Sequence, residues 1–179
     1  MVECSAPKVR ESEVRQVPSE MRRQDRAMPL DECARLLDRT PVGRIATTDA
    51  SGAPYVVPMN FVHVPLDGTI FLHCATSGQL LDNLAVNSRV CFEVDEPGDV
   101  IATGGYACDT SQLYKSVICF GTARVIQDGP EKHQALDLFV QKYVDRLMPD
   151  REYEPEMVTI DTTVAISISV EKMTGKQRI

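Results

Sequence analysis

Leu113 to Gln127 reads LYKSVICFGTARVIQ, and this stretch decides the fold. It is a long run of β-formers with one glycine inside it, at Gly121. A glycine in mid-strand marks a bulge or a sharp bend, which small barrels need in order to turn their corners. Working outward, five further stretches read as strands: VGRIATTD (42–49), YVVPMNFVH (55–63), TIFLHCA (69–75), RVCFEV (89–94) and TTVAISISVEK (162–172). The turns ASGAP and PLDG join the first three in successive hairpins. In the last strand Val164, Ile166, Ile168 and Val170 point one way, and Ala165, Ser167 and Ser169 the other.

Three helices fill the connections. PLDECARLLDRT has Asp31 as a cap and Cys33, Leu36 and Leu37 as its apolar face. SGQLLDNLAVNS has Ser77 as N-cap and Leu80, Leu81, Leu84 and Ala85 at helical spacing. DGPEKHQALDLFVQKYVDRL has Pro130 near its start and presents Leu136, Phe139, Val140, Tyr143 and Leu147 on one face. The segment EPGDVIATGGYACDTSQ reads as a loop, long enough to suggest function or subunit contact. These elements predict a mainly β fold: a six-stranded antiparallel split barrel of Greek-key type with short connecting helices. Residues 1–28 lack periodicity and read as a mobile arm, and 29–176 as the single domain.

Composition excludes several classes. The chain has 179 residues, 43% hydrophobic, with a net charge of −7. That charge argues against nucleic-acid binding, and the Arg22, Arg23, Arg26 cluster is interrupted by Glu20 and Asp25. No run is long enough for a membrane span, and the polar N-terminus lacks a secretory apolar core, so a cytoplasmic protein is expected. The six cysteines have no CxxC spacing and none pairs locally with a histidine, so they read as structural thiols, with no metal site.

YVVPMNF raises a separate question, because Pro58 cannot donate a ladder hydrogen bond in an otherwise apolar strand. Pro58 marks either a protected edge or a place where backbone groups around Val57 and Met59 face a ligand. On the next strand Thr69, Phe71, His73 and Ala75 share one face, so His73 stands at its end, ahead of ATSGQ.

The ordered set VGRIATTDASGAPYVVPMNF, TIFLHCATSGQLLDNLAVNSRVCFEV and LYKSVICFGTARV resembles the FMN-binding split-barrel superfamily of pyridoxamine 5'-phosphate oxidase-like proteins. His73 with Gly78 and Leu80, the YKSV strand and the C-terminal TGK (Thr174–Lys176) are similar to its nitroimidazole-resistance branch. The resemblance covers Arg22 to Lys176. It implies an FMN-dependent oxidoreductase, a homodimer with flavin at the subunit interface, acting on a small redox-active compound such as a nitro-aromatic. It also implies the site. Val57, Pro58, Met59 and Asn60 would meet the ring edge. His73 would hydrogen-bond the flavin or give a proton to substrate, with a structural role as the other reading. Ser77, Gly78, Gln79 and Leu80 would form the phosphate loop. Tyr114, Lys115 and Ser116 would come from the second subunit, with Lys176 beside the phosphate. The departure from the pattern is at Gln79 and Leu80, where many members carry Arg and Lys. Arg44, Lys115 or Lys176 would compensate, or loop amides alone would hold the phosphate. A flavin- or haem-binding sensor with His73 as axial ligand, and deazaflavin use, are the alternatives.

Overall fold

The computed structural model describes residues 20–102, 104–106, 109–145, 150 and 162–179. Along the chain lie β1 (Ala27–Met28), α1 (Leu30–Arg39), β2 (Val42–Thr48), β3 (Pro54–Val64) and β4 (Thr69–Cys74). Then follow α2 (Gln79–Val86), β5 (Arg89–Ala102), β6 (Thr110–Val125), α3 (Pro130–Phe139) and β7 (Val164–Arg178). A π-helical turn, Val140–Asp145, continues α3.

Every strand pairing is antiparallel: β2 with β3, β3 with β4, β4 with β7, β7 with β6, β6 with β5, and β5 back to β2. The ring is closed. β5 returns from α2 to lie beside β2, outside the β2–β3–β4 meander, which is the Greek-key order. The six expected strands are all present, and β1 adds a seventh by pairing with β7 at Ala27↔Lys176 and Met28↔Gly175.

Three expectations are corrected. The segment read as a loop from Glu96 to Gln112 is mostly strand: β5 runs on to Ala102 and pairs with β6 as far as Thr110. Polar residues and Pro97 hid a two-stranded arm whose sides are both largely exposed. The last strand also continues past Lys172 to Arg178, carrying the TGK segment with it. The N-caps differ too. Gly78, at φ 140°, caps α2 with no side-chain bond, so Ser77 does not cap, and a left-handed φ of this kind favours glycine. Asp31 lies within the first turn of α1 and pairs with Arg35 at 2.8 Å. Of the stretch expected as an arm, residues 1–19 lie outside the described residues. Its final pair forms β1, with Met28 buried.

Alternation places the core. Ile45, Phe61, Ile70, Leu72, Phe92, Val94, Val117, Ile166 and Ile168 are all fully buried inside the barrel. Phe61 and Phe92 meet edge to face at 4.9 Å. Cys33, Leu36 and Leu37 of α1 and Leu80 and Leu84 of α2 join this core. Outside the wall, Ala135 of α3 packs with Ile126, Ala165 and Phe71 in a second small cluster. Leu136 and Phe139 are buried as the helical spacing predicts, whereas Leu147 lies outside the described residues. Cys33 and Cys119 are buried free thiols, and burial, with the neighbouring Cys33 and Cys91, pushes Cys119 up to about 12.

Gly121 is the corner. The β6–β7 register shifts between Phe120 and Gly121, and a Cβ at Gly121 would stand 2.1 Å from the Ser169 carbonyl oxygen. The two backbones cross too closely for any side chain.

Candidate functional site

β3 changes partners midway. Residues 54–60 pair with β2, and residues 61–64 pair with β4. Beyond Phe61↔Leu72 the β3–β4 ladder stops, and the two strands diverge as β4 continues along β7 to Cys74↔Val164. This seam is the split in the barrel.

The direction of the backbone groups follows from one side chain. The Phe61 N–H donates to the Tyr143 hydroxyl at 2.9 Å. That hydroxyl lies 2.7 Å from both the Phe61 and the Pro41 carbonyl oxygens and shares its proton between them. Pro41 precedes β2, so the polar groups of Phe61 point to the β2 side. Neighbouring residues in a strand alternate edges. Met59 and Val57 therefore bond β2, while Pro58 and Asn60 point their backbone groups into the seam. Pro58 costs the β2–β3 ladder nothing, because its missing N–H belongs on the open edge. Its carbonyl, with the N–H and carbonyl of Asn60, lies on that edge.

His73 stands on the opposite bank of the seam. The residue is exposed over part of its surface, and its ring meets Phe139 edge to face, the centroids 4.6 Å apart and the planes at 82°. Phe139 in turn stacks on Tyr143 at 5.9 Å and 14°. Partial burial lowers the affinity of His73 for a proton, so the neutral imidazole is favoured. Burial raises the Tyr143 hydroxyl, opposed by its bonds to Phe61 and Asn60, so this clip stays protonated. The Asn60 side chain donates to the Pro41 carbonyl at 3.0 Å. Lys142 completes the support. Its ammonium donates to the Leu37 and Thr40 carbonyls at 3.2 and 3.0 Å and lies 3.9 Å from the centre of the Phe61 ring.

The predicted site residues thus fall into two groups. Pro58, Asn60 and His73 border the seam, and Ser77 and Gly78, with Gln79 as the first residue of α2, follow from β4 as an exposed stretch. Val57 and Met59 turn their side chains toward the core, as does Leu80, which is 7% exposed. Leu80 is a packing residue of α2. No atoms lie within 4 Å of a Cβ built on Gly78, so a ligand can approach the loop amides closely.

Tyr114, Lys115, Ser116 and Lys176 form the second group, where β6 meets the end of β7. Tyr114 pairs with Arg178, and Ser116 with Lys176. The Lys176 ammonium lies 6.0 Å from the Tyr114 ring centre. Lys115 is engaged by Glu32 at 3.6 Å. Arg44, considered as a compensating cation, is held by Glu93 at 3.2 Å and by Asp95. The Phe139–Tyr143 wall behind His73 was not predicted as part of the site. Both residues were visible as the apolar face of a helix, but no local signal told which strand that face would meet.

A closed Greek-key barrel whose β3 changes partners at an open seam defines a split barrel. The chain belongs to the pyridoxamine 5'-phosphate oxidase family, whose pattern matches residues 29–177. Among solved structures it is similar to a protein described as a 5-nitroimidazole antibiotic resistance protein from Bacteroides thetaiotaomicron. Identity is 25% and the TM-score 0.69, over 84% of this chain and 86% of that one. The FAD and haem binding protein of Mycobacterium smegmatis shares the fold, at 22% identity and TM-score 0.63 over 83% of this chain and 71% of that one. A curated relative, the 5a,11a-dehydrotetracycline/5a,11a-dehydrooxytetracycline reductase of Streptomyces rimosus, is 32% identical over 89 residues. That match spans 49% of this chain and 56% of the relative's length. No helix among the described residues is long and apolar enough to cross a membrane.

Proposed function

We propose that the protein is an FMN-dependent oxidoreductase that works as a homodimer on a small redox-active compound, a nitro-aromatic being the leading class. The observation that carries this reading is the seam. It offers the backbone groups of Pro58 and Asn60 to the pyrimidine edge of a flavin and places a neutral, exposed His73 across from them. The family membership, a reductase relative and a nitroimidazole-resistance relative support it.

The residues present fit FMN in part by side chain and in part by backbone. The ring edge meets the donors and acceptors of Pro58 and Asn60. The phosphate meets the amides of Ser77, Gly78 and Gln79, whose loop carries no cation and whose Gly78 leaves the approach clear. Bound flavin would supply the electron transfer. Phe139 holds the His73 ring in place, and His73 keeps a hydrogen-bonding nitrogen toward the ligand or hands a proton to a reduced substrate. Tyr114, Ser116 and Lys176 lie on a separate edge in one chain, so a second copy brings that edge to the seam and shuts water out.

The test is direct. Protein purified from cells should be yellow and release about one FMN per subunit, and NAD(P)H with a nitroimidazole should reduce and reoxidise it faster than free FMN. A colourless protein that takes up no added FMN overturns the reading. A second reading, a haem- or flavin-binding sensor, is favoured by the neutral His73 as an available axial ligand. A Soret band on haem titration, lost in His73→Ala, would select it.

A further inference from the structure

The β5–β6 arm pairs only with itself. β2 leaves β5 at the rung Arg44↔Glu93, and β7 accompanies β6 as far as Tyr114↔Arg178. Beyond those rungs Val100, Ile101 and Ala102 pair with Gln112, Ser111 and Thr110, and both outer edges are open. At about 3.3 Å per residue, Pro97 to Ala102 carries the tip roughly 15–20 Å past the barrel wall. A two-stranded ribbon is marginal in water by itself, yet this one has a defined shape. An extra residue on β5 between Pro97 and Val100 makes a bulge, which twists the ribbon. At the tip the Tyr106 N–H donates to the Asp109 carboxylate at 3.1 Å, and the Asp109 N–H to the Tyr106 carbonyl at 2.9 Å. This turn holds Tyr106 outward, 78% exposed, while the flank displays Val100, 68% exposed. Asp95 and Glu96 at the base are paired with Arg44 and Arg39. Open strand edges that display apolar side chains are places for another chain to dock.

The ring order says which chain. Around β2–β3–β4–β7–β6–β5 the β5–β6 pair stands opposite the β3–β4 seam, so the arm leaves the barrel on the side away from its own seam. Between arm and seam lies the outer face of β3, β2, β5 and β6. α1 and α2 bury their apolar residues with the interior, and α3 packs outside β4 and β7. Alternation leaves Val56, Val42 and Ile118 exposed on the outer face. In its middle Arg44 sits between Glu93 and Asp95. Gln112, Tyr114, Ser116 and Ile118 alternate along β6 on this face, and Val100, opposite Gln112, carries it into the arm. A patch with both signs of charge among apolar residues complements itself across a two-fold axis. An axis through this face lays the arm side of one copy on the seam side of the other.

We propose that a second copy seats on this outer face about a two-fold axis, and that each arm crosses to roof its partner's seam with Tyr106 and Val100. The inference rests on the proposed homodimer and adds to it the surface used and the element exchanged. Each seam is then completed by the other chain, and Tyr106 becomes a wall that limits the size of the compound admitted.

The chain has no tryptophan, so Tyr106→Trp supplies a single reporter. Sedimentation and tryptophan emission are followed together as the full-length protein is diluted. The emission should be blue-shifted and shielded from iodide in the dimer, and should turn red as monomers appear. Val56→Glu puts a charge at a position exposed in one chain and covered in the pair. It should match the parent by circular dichroism and weaken the dimer about tenfold or more. A benzophenone amino acid at position 106 locates the contact. On illumination of mixed isotope-labelled and unlabelled protein it should join to the other copy at residues 58–60 or 73–79. Adducts within one chain or elsewhere on the other copy overturn the proposal, as does a dimer whose reporter stays red and open to iodide. Monomers at every concentration overturn the homodimer reading itself, and this proposal with it.

Discussion

Tyr143→Phe tests the geometry of the seam. The substitution removes one oxygen and leaves the ring, so the stacking on Phe139 survives. What it removes is the acceptor for the Phe61 N–H and the donor to the Pro41 and Phe61 carbonyls. Phe61 has no exposed surface, so water does not replace the lost partner without opening the wall. An unsatisfied buried donor costs about 1–3 kcal/mol. At roughly 2–4 °C per kcal/mol for a chain of this size, a cost of about 2 kcal/mol lowers the melting temperature by about 4–8 °C. The assay is thermal unfolding followed by circular dichroism, with hydrogen exchange read at the Phe61 amide. The amide should exchange faster in the variant, while amides of the β5–β6 arm should not change. A melting temperature within about 1 °C of the parent, with Phe61 still protected, would refute the assignment of backbone direction on which the seam rests.

Other outcomes follow from the same structure. Pro58→Ala should leave the melting temperature nearly unchanged, whereas Met59→Pro, which deletes a ladder N–H opposite Gly43, should cost about 3 kcal/mol or more and be seen as loss of folded protein on expression. Gly121→Ala places a methyl group against the Ser169 carbonyl and should cost at least about 3 kcal/mol, measurable by urea unfolding. His63 and His73 both bind protons less readily in the fold, His63 through burial and then the Lys142 charge, opposed by Asp38, and His73 through burial. Their neutral forms are favoured in the fold, so stability is full above about pH 6.5 and falls as pH drops below it. A melting temperature that rises on acidification from pH 7 to 5.5 would contradict this sign, and His73→Gln should flatten the profile.

The barrel was legible because its signals are local. Alternation in 164–170, the hairpin turns and the mid-strand glycine at 121 each depend on neighbours in sequence, and together they give strands, order and corner. Helix spacing likewise found Cys33, Leu36 and Leu37 of α1, Leu80 and Leu84 of α2 and Leu136 and Phe139 of α3 as buried, whereas Ala85, expected on the α2 face, is exposed. The β5–β6 arm was not legible, since a strand pair exposed on both sides has no apolar period to read. The site was half legible. Pro58 declared itself as a strand residue that should not be there, yet its orientation depends on Tyr143, 85 positions later in the chain. Leu80 was read as a lost phosphate ligand, when its burial makes it part of the wall. The contact of His73 with Phe139 and the pairing of Ser116 with Lys176 are set only when distant segments close.

The handover in β3 also governs how the molecule assembles. β2–β3, β3–β4 and β5–β6 are hairpins that form between near neighbours. The rungs that bring β7 to β4 within the ring, and to β1 outside it, join segments far apart in the chain and wait for what lies between them. Ordering a long intervening chain makes such closure slow. β7 brings Val164 and Ala165 to the back of β4 beside the seam. Closure of the barrel and completion of the seam then draw on the same step, and a chain halted before β7 docks would lack the support behind His73.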